Sequence, residues 1–102
     1  MSFKVRPSSQ FIADLRAILT FISADDVRGA RSVQFELNKK ITLLKSRPLA
    51  FRLRAELGED LRVIRVFNYL LIYRINENIV LLDRLVHSSQ DLETIFKNND
   101  KS

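Results

Sequence analysis

At 102 residues the chain allows a single domain with one core, and its lack of cysteine excludes disulfides and thiolate metal sites. A hydrophobic share of 46%, against only two glycines and two prolines, excludes disordered and fibrous classes. The net charge of +5 favours an acidic partner, although nucleic acid, an acidic protein and plain solubility all satisfy it.

No apolar run approaches the roughly 18–20 residues that span a bilayer, and Met1-Ser2-Phe3-Lys4-Val5-Arg6 has no signal-peptide core. A cytoplasmic location without membrane contact is therefore expected. Phe3-Lys4-Val5-Arg6 alternates and stops at Pro7, as a short edge or starting strand does. Ser8 and Ser9 offer N-cap oxygens to the next segment. There Phe11, Ile12, Leu15, Ile18, Leu19 and Ile22 form one stripe, predicting an amphipathic helix that ends near Ser23-Ala24.

Asp25 and Asp26 supply the cap of a second helix, expected from about Asp26 to Ser46. Val27, Ala30, Val33, Leu37, Ile41 and Leu44 make its inner stripe. Lys39, Lys40, Lys45 and Arg47 lie toward its C-terminal end, where cations complement the helix dipole. Pro48 stops it, and the short connection predicts an antiparallel hairpin of helices.

The run Arg52 to Leu57 alternates strictly and reads as a strand, with Leu53, Ala55 and Leu57 on one face. Gly58-Glu59-Asp60 turns the chain into three closely spaced apolar segments, Leu61–Phe67, Tyr69–Ile75 and Ile79–Val86. Such short connections permit only antiparallel neighbours. Beyond His87, Ser88-Ser89-Gln90-Asp91 can cap a short helix carrying Leu92, Ile95 and Phe96. Residues 1–97 are one domain and 98–102 a polar tail.

The expected class is α+β in the order β-α-α-β-β-β. A helix hairpin packs on one face of a small, mainly antiparallel twisted sheet, followed by a short C-terminal helix. One hairpin covers one face of a sheet, yet this meander is apolar on both. Alternation places Leu70, Ile72 and Arg74 opposite to Tyr69, Leu71, Tyr73 and Ile75. Likewise Val80, Leu82, Arg84 and Val86 oppose Ile79, Leu81, Asp83 and Leu85. With the turn centred on Glu77, Arg74 falls near Val80 and Leu70 near Arg84, a register that a bulge would shift. The Leu70, Ile72, Arg74 face is taken as open. Leu70, Ile72, Tyr73, Arg74, Leu82, Arg84 and Val86 are then candidates for holding a partner. The alternative is that the C-terminal segment folds back over this face.

The ordered set of segments resembles the RelE/ParE superfamily of type II toxin–antitoxin toxins, and within it the ParE-like branch. The resemblance rests on Arg52-Leu53-Arg54-Ala55-Glu56-Leu57-Gly58, on Leu61-Arg62, and on Asn68-Tyr69-Leu70-Leu71-Ile72-Tyr73-Arg74-Ile75. Arg84-Leu85-Val86-His87 and Asp91-Leu92 continue it. It implies a toxin that inhibits DNA gyrase by binding and is neutralised by a cognate antitoxin with an acidic C-terminal arm. Operator DNA would be reached only through the antitoxin.

The RelE-like branch instead cleaves mRNA on the ribosome, with an arginine after the tyrosine of the strand at Tyr69. Leu70 stands there and can neither hold a phosphate nor take a proton. On the nuclease alternative Arg52, Arg54, Arg62, Arg84 and His87 are the candidate catalytic residues. A non-toxic relic that still binds antitoxin is a further alternative. His87 is the only histidine. Asp83 lies about 13 Å back along the strand, so the sequence shows His87 no acid–base partner. There is no glycine-rich phosphate loop and no histidine pair for a metal, and no cofactor is expected.

Overall fold

The computed structural model describes residues 2–58, 60–92 and 95–96. Its order is β1 (Lys4–Pro7), α1 (Ser9–Ser23), α2 (Val27–Leu44), β2 (Leu61–Val66), β3 (Tyr69–Asn76) and β4 (Ile79–His87). The sheet runs β1-β4-β3-β2, with β1 parallel to β4 and the other pairs antiparallel. The expected β-α-α-β-β-β arrangement, two helices on a mainly antiparallel sheet, is the one observed.

Both helices begin where their caps predict. Ser8 Oγ accepts the Phe11 N–H at 2.9 Å, and Asp26 Oδ1 accepts the Gly29 N–H at 2.9 Å. Phe11 of α1 and Leu37 and Leu44 of α2 pack on Ile64, Val66, Leu71, Tyr73, Val80, Leu82 and Leu85 of the sheet. Ile12 and Val27, expected on the inner stripes, are exposed, each in the first turn of its helix. α2 ends at Leu44, and the Lys45 carbonyl accepts the Phe3 N–H at 2.8 Å, tying the chain's start to the helix end.

The segment Arg52–Leu57 is not a strand. Leu53 makes a single bridge with Arg62, the Arg54 N–H donates to Leu61 O, and Ala55–Leu57 then closes into a 3-10 turn. The turn rotates Leu57 inward and leaves Leu53 exposed, so the alternation does not correspond to two sheet faces. Gly58 follows at φ 151°, where a Cβ would lie 3.1 Å from Leu61 Cδ1. The expected turn here includes Glu59, which lies outside the described residues.

The β3–β4 register also differs from expectation. Asn76 pairs with Ile79 and Ile75 with Val80, so the turn is Glu77-Asn78, with Glu77 at φ 56°. Pairing continues through Tyr73 with Leu82 and then slips, so that Ile72 faces Arg84 and Leu70 faces Val86. Asp83 is the extra residue of this bulge. Leu82 therefore joins the helix-side core while Val86 lies on the opposite face.

That opposite face is not open. Leu57, Leu92 and Phe96 cover Leu61, Ile72 and Val86, with Val63, Leu70 and Ile95 at the margin. The fold-back weighed from the sequence is what the chain does. The predicted C-terminal helix reaches residues outside the described ones. Within them, the Ile95 N–H donates to the Asp91 carbonyl at 3.2 Å.

Tyr73 lies at the centre of the helix-side core with no solvent exposure. Its hydroxyl donates to the Pro48 carbonyl at 2.6 Å, pinning the α2–β2 connection onto β3. Burial pushes its pKa up to about 12, a rise that the Arg62 charge partly opposes. Removing the hydroxyl strands a buried carbonyl, so Tyr73→Phe should lower unfolding free energy by about 1–3 kcal/mol in urea titrations near neutral pH. The folded pKa lies above the unfolded value of about 10. The neutral phenol's contribution is thus fully present below pH ~10 and declines as pH rises toward 12. The Tyr73→Phe stability curve should be flatter than the parent's across that window.

Candidate functional site

β1 ends at Pro7, opposite Leu82, and leaves the outer edge of β4 beyond that point without a strand partner. The first turns of α1 fill the gap. The Ser8 N–H donates to Leu82 O at 2.9 Å and Ser8 Oγ to Asp83 O at 2.8 Å. Asp14 Oδ2 accepts the Leu85 N–H at 3.0 Å and Arg84 Nε at 2.8 Å, while Oδ1 accepts Arg84 at 3.3 Å. The Asp14 side chain is only 10% exposed. Asp83 carries the second bond of the bulge, a 3.0 Å ion pair with Arg74. A polar pocket of about 420 Å³ lies beside these groups, lined by Ser8, Ser9, Gln10, Arg74, Asp83, Arg84 and Phe96.

The candidates for holding a partner fall into three groups. Leu70, Ile72 and Val86 share the second face, with Ile72 and Val86 buried beneath the C-terminal segment and Leu70 half-buried. Arg74 and Arg84 stand at the bulge, each already holding a carboxylate. Tyr73 and Leu82 are buried on the helix side and are separated from the others by the thickness of the sheet.

Of the residues of the nuclease alternative, Arg84 and His87 border one groove, and Arg52, Arg54 and Arg62 stand apart from it. Arg52 is exposed on the connection before β2, and Arg54 pairs with Glu56 beside it, holding that carboxyl below its usual range. Arg62 Nη1 donates to the Phe51 carbonyl at 2.7 Å. Arg84 is engaged by Asp14. His87 Nδ1 accepts the Ser89 N–H at 3.1 Å, which places the proton of the neutral ring on Nε2. Its ring meets Tyr69 edge-on at 5.4 Å, and Ser89 Oγ lies 2.7 Å from Nδ1. His87 and Arg84 share a groove of about 430 Å³ with Asp14, Tyr69, Ser89 and Gln90, and Ser89 holds the imidazole at Nδ1. Among the described residues no group of three His, Cys, Asp or Glu could hold a metal ion.

Sequence reading missed the role of Asp14, since a helix carboxylate 70 residues from its arginine carries no local signal. It also missed the exposure of Phe35 and Phe67. Phe35 gave a usable sign, because it falls outside the inner stripe of α2.

The sequence model of the family described as ParE toxin of type II toxin-antitoxin system, parDE, matches residues 5–92. A search of the curated protein sequences gave no match. Among solved structures, the chain is similar to one from the chromosomal ParDE toxin–antitoxin system of P. aeruginosa, at TM-score 0.69 and 13% identity. That likeness covers 84% of this chain and 96% of the other. A chain of the RelBE2 toxin–antitoxin complex of Mycobacterium tuberculosis is similar at TM-score 0.60 and 24% identity, covering 85% and 99%. A chain of the E. coli DinJ-YafQ toxin–antitoxin complex is similar at TM-score 0.60 and 17% identity, covering 87% and 96%. At these identities the structural likenesses establish the fold.

Replacing Asp14 by Ala removes four hydrogen bonds and leaves Gln10, Arg84 and the Leu85 N–H without this acceptor. We expect a loss of about 2–4 kcal/mol in chemical unfolding, with Arg84→Ala costing less because Asp14 would keep the backbone bond.

Proposed function

The chain belongs to the ParE toxin family of type II toxin–antitoxin systems, and from that membership we propose that it acts by binding, with DNA gyrase as its target. A cognate antitoxin neutralises it through an acidic C-terminal arm, and the pair reaches operator DNA through the antitoxin alone. Both act in the cytoplasm. No described helix is long and apolar enough to cross a membrane.

One observation carries the choice of binding over cleavage. Leu70 faces Val86 across β3 and β4, at the margin of the apolar cluster in which Leu57, Leu92 and Phe96 cover Val86. In the RelE-like branch an arginine typically stands at the first of these positions, suited to a substrate phosphate. Here the position is apolar and half-buried. Of the arginines nearby, Arg65 pairs across the strands with Leu70 and donates to the Phe67 carbonyl, while Arg74 and Arg84 hold Asp83 and Asp14. The net charge of +5 supports the antitoxin half of the reading, since it speeds encounter with an acidic arm.

Relaxed plasmid incubated with gyrase, ATP and rising amounts of the protein should fail to become supercoiled. The product of an adjacent reading frame encoding an acidic protein should restore activity at equimolar amounts. Undiminished supercoiling at large molar excess would remove gyrase as the target. Loss of rescue alone would remove only that antitoxin.

A further inference from the structure

The sheet residues expected to hold a partner are mostly spent inside the fold. Ile72, Tyr73, Leu82 and Val86 are buried, and Arg74 and Arg84 hold carboxylates. Contact with a target therefore has to come from side chains elsewhere. The connection from Arg47 to Arg54, between α2 and β2, has the opposite character: its backbone is held and its side chains are left outside.

Two side chains of the sheet pin it. Tyr73 Oη donates to the Pro48 carbonyl at 2.6 Å, and Arg62 Nη1 donates to the Phe51 carbonyl at 2.7 Å. The Ala50 N–H donates to Arg47 O at 3.2 Å, and the Arg54 N–H to Leu61 O at 2.6 Å. Pro48 is buried, and Phe51 packs at the edge of the helix-side core. Between and beside these anchors, Leu49 is 67% exposed and Leu53 43% exposed. Arg47 and Arg52 are exposed as well, and neither forms an ion pair among the described residues. A single exposed leucine is ordinary. Two on one pinned connection, in the company of two unpaired arginines, make a prepared contact surface.

We propose that this connection is the element with which the protein contacts its cellular target, a folded protein that offers an apolar cleft within an acidic surface. On the reading of the chain as a toxin that acts by binding, this places the contact on Arg47, Leu49, Arg52 and Leu53. An element that is already ordered loses little conformational freedom on docking, which suits contact with a folded enzyme. From residue 47 to 56 the chain carries three arginines against one glutamate, so an acidic surface complements it. The leucines fill the cleft and slow dissociation, while the arginines speed approach. Nucleic acid is matched less well, because the two leucines offer bases no stacking plane and Arg54 is already held by Glu56.

The test compares the full chain and its variants in two assays, inhibition of gyrase supercoiling and growth arrest on induced expression in a bacterial host. Leu49→Ser, Leu53→Ser and Arg52→Glu should each weaken the effect by about tenfold without lowering the melting temperature, since these side chains lie on the surface. Phe35→Ser, an equally exposed change on α2, should leave potency unchanged. Arg62→Gln frees the Phe51 carbonyl without touching the contact side chains. It should weaken the effect several-fold, and Arg62→Lys should recover part of the loss. Growth arrest without gyrase inhibition would remove gyrase as the target, and relief of that arrest by the same variants would still support the contact. Loop variants as potent as the parent, or a parent inert in both assays, would overturn the proposal. Binding of labelled duplex DNA that Arg52→Glu abolishes and Leu49→Ser leaves intact would overturn it as well.

Discussion

A first strand of four residues sets the problem that the rest of the molecule solves. Once β1 stops at Pro7, the outer edge of β4 beyond Leu82 has backbone groups with no strand beside them. α1 supplies the partners. Ser8 serves Leu82 and Asp83 while also capping the helix, and Asp14 receives the Leu85 N–H together with Arg84. One helix thus seals an edge that would otherwise invite pairing with another chain. Its bonds reach across 70 residues or more, so α1 and β4 are fixed to each other.

The bulge at Asp83 follows from the same arrangement and decides what each face contains. The extra residue sends Leu82 toward the helices and Val86 away from them. Without it, the apolar residues of β4 would be divided differently between the two faces. With it, Tyr73, Val80, Leu82 and Leu85 complete the core under the hairpin. Ile72 and Val86 form the floor of a second cluster roofed by Leu57, Leu92 and Phe96. The chemistry of the second face is set by this closure. Arg74 and Arg84 sit at the bulge in ion pairs, and the centre is buried and apolar.

Much of the architecture was legible from local pattern. The stripes of α1 and α2, the caps at Ser8 and Asp26, and the three segments of the meander could all be read from spacing and side-chain chemistry. The misreadings have physical causes. Arg52–Leu57 alternates like a strand, but one bridge at Leu53 and a 3-10 turn use its backbone instead. The bulge has no local signature, since Asp83 is fixed by groups on α1 and β3. Leu82 was therefore grouped with Arg84 and Val86 of the other face. The covering of Ile72 and Val86 depends on packing between segments distant in sequence, which periodicity does not encode. Asp14 was invisible for the same reason. The exposed Phe35 was readable as an apolar residue outside its helix's buried stripe.

A protein whose second sheet face is roofed over at Ile72 and Val86, with a leucine at position 70 on its margin, should engage its target by contact and leave RNA intact. Primer extension on an mRNA translated in a reconstituted system with added protein tests this most directly. Full-length product alone, at protein concentrations that stop supercoiling, is the expected result. Codon-specific stops that appear only when ribosomes and the protein are both present would contradict the account.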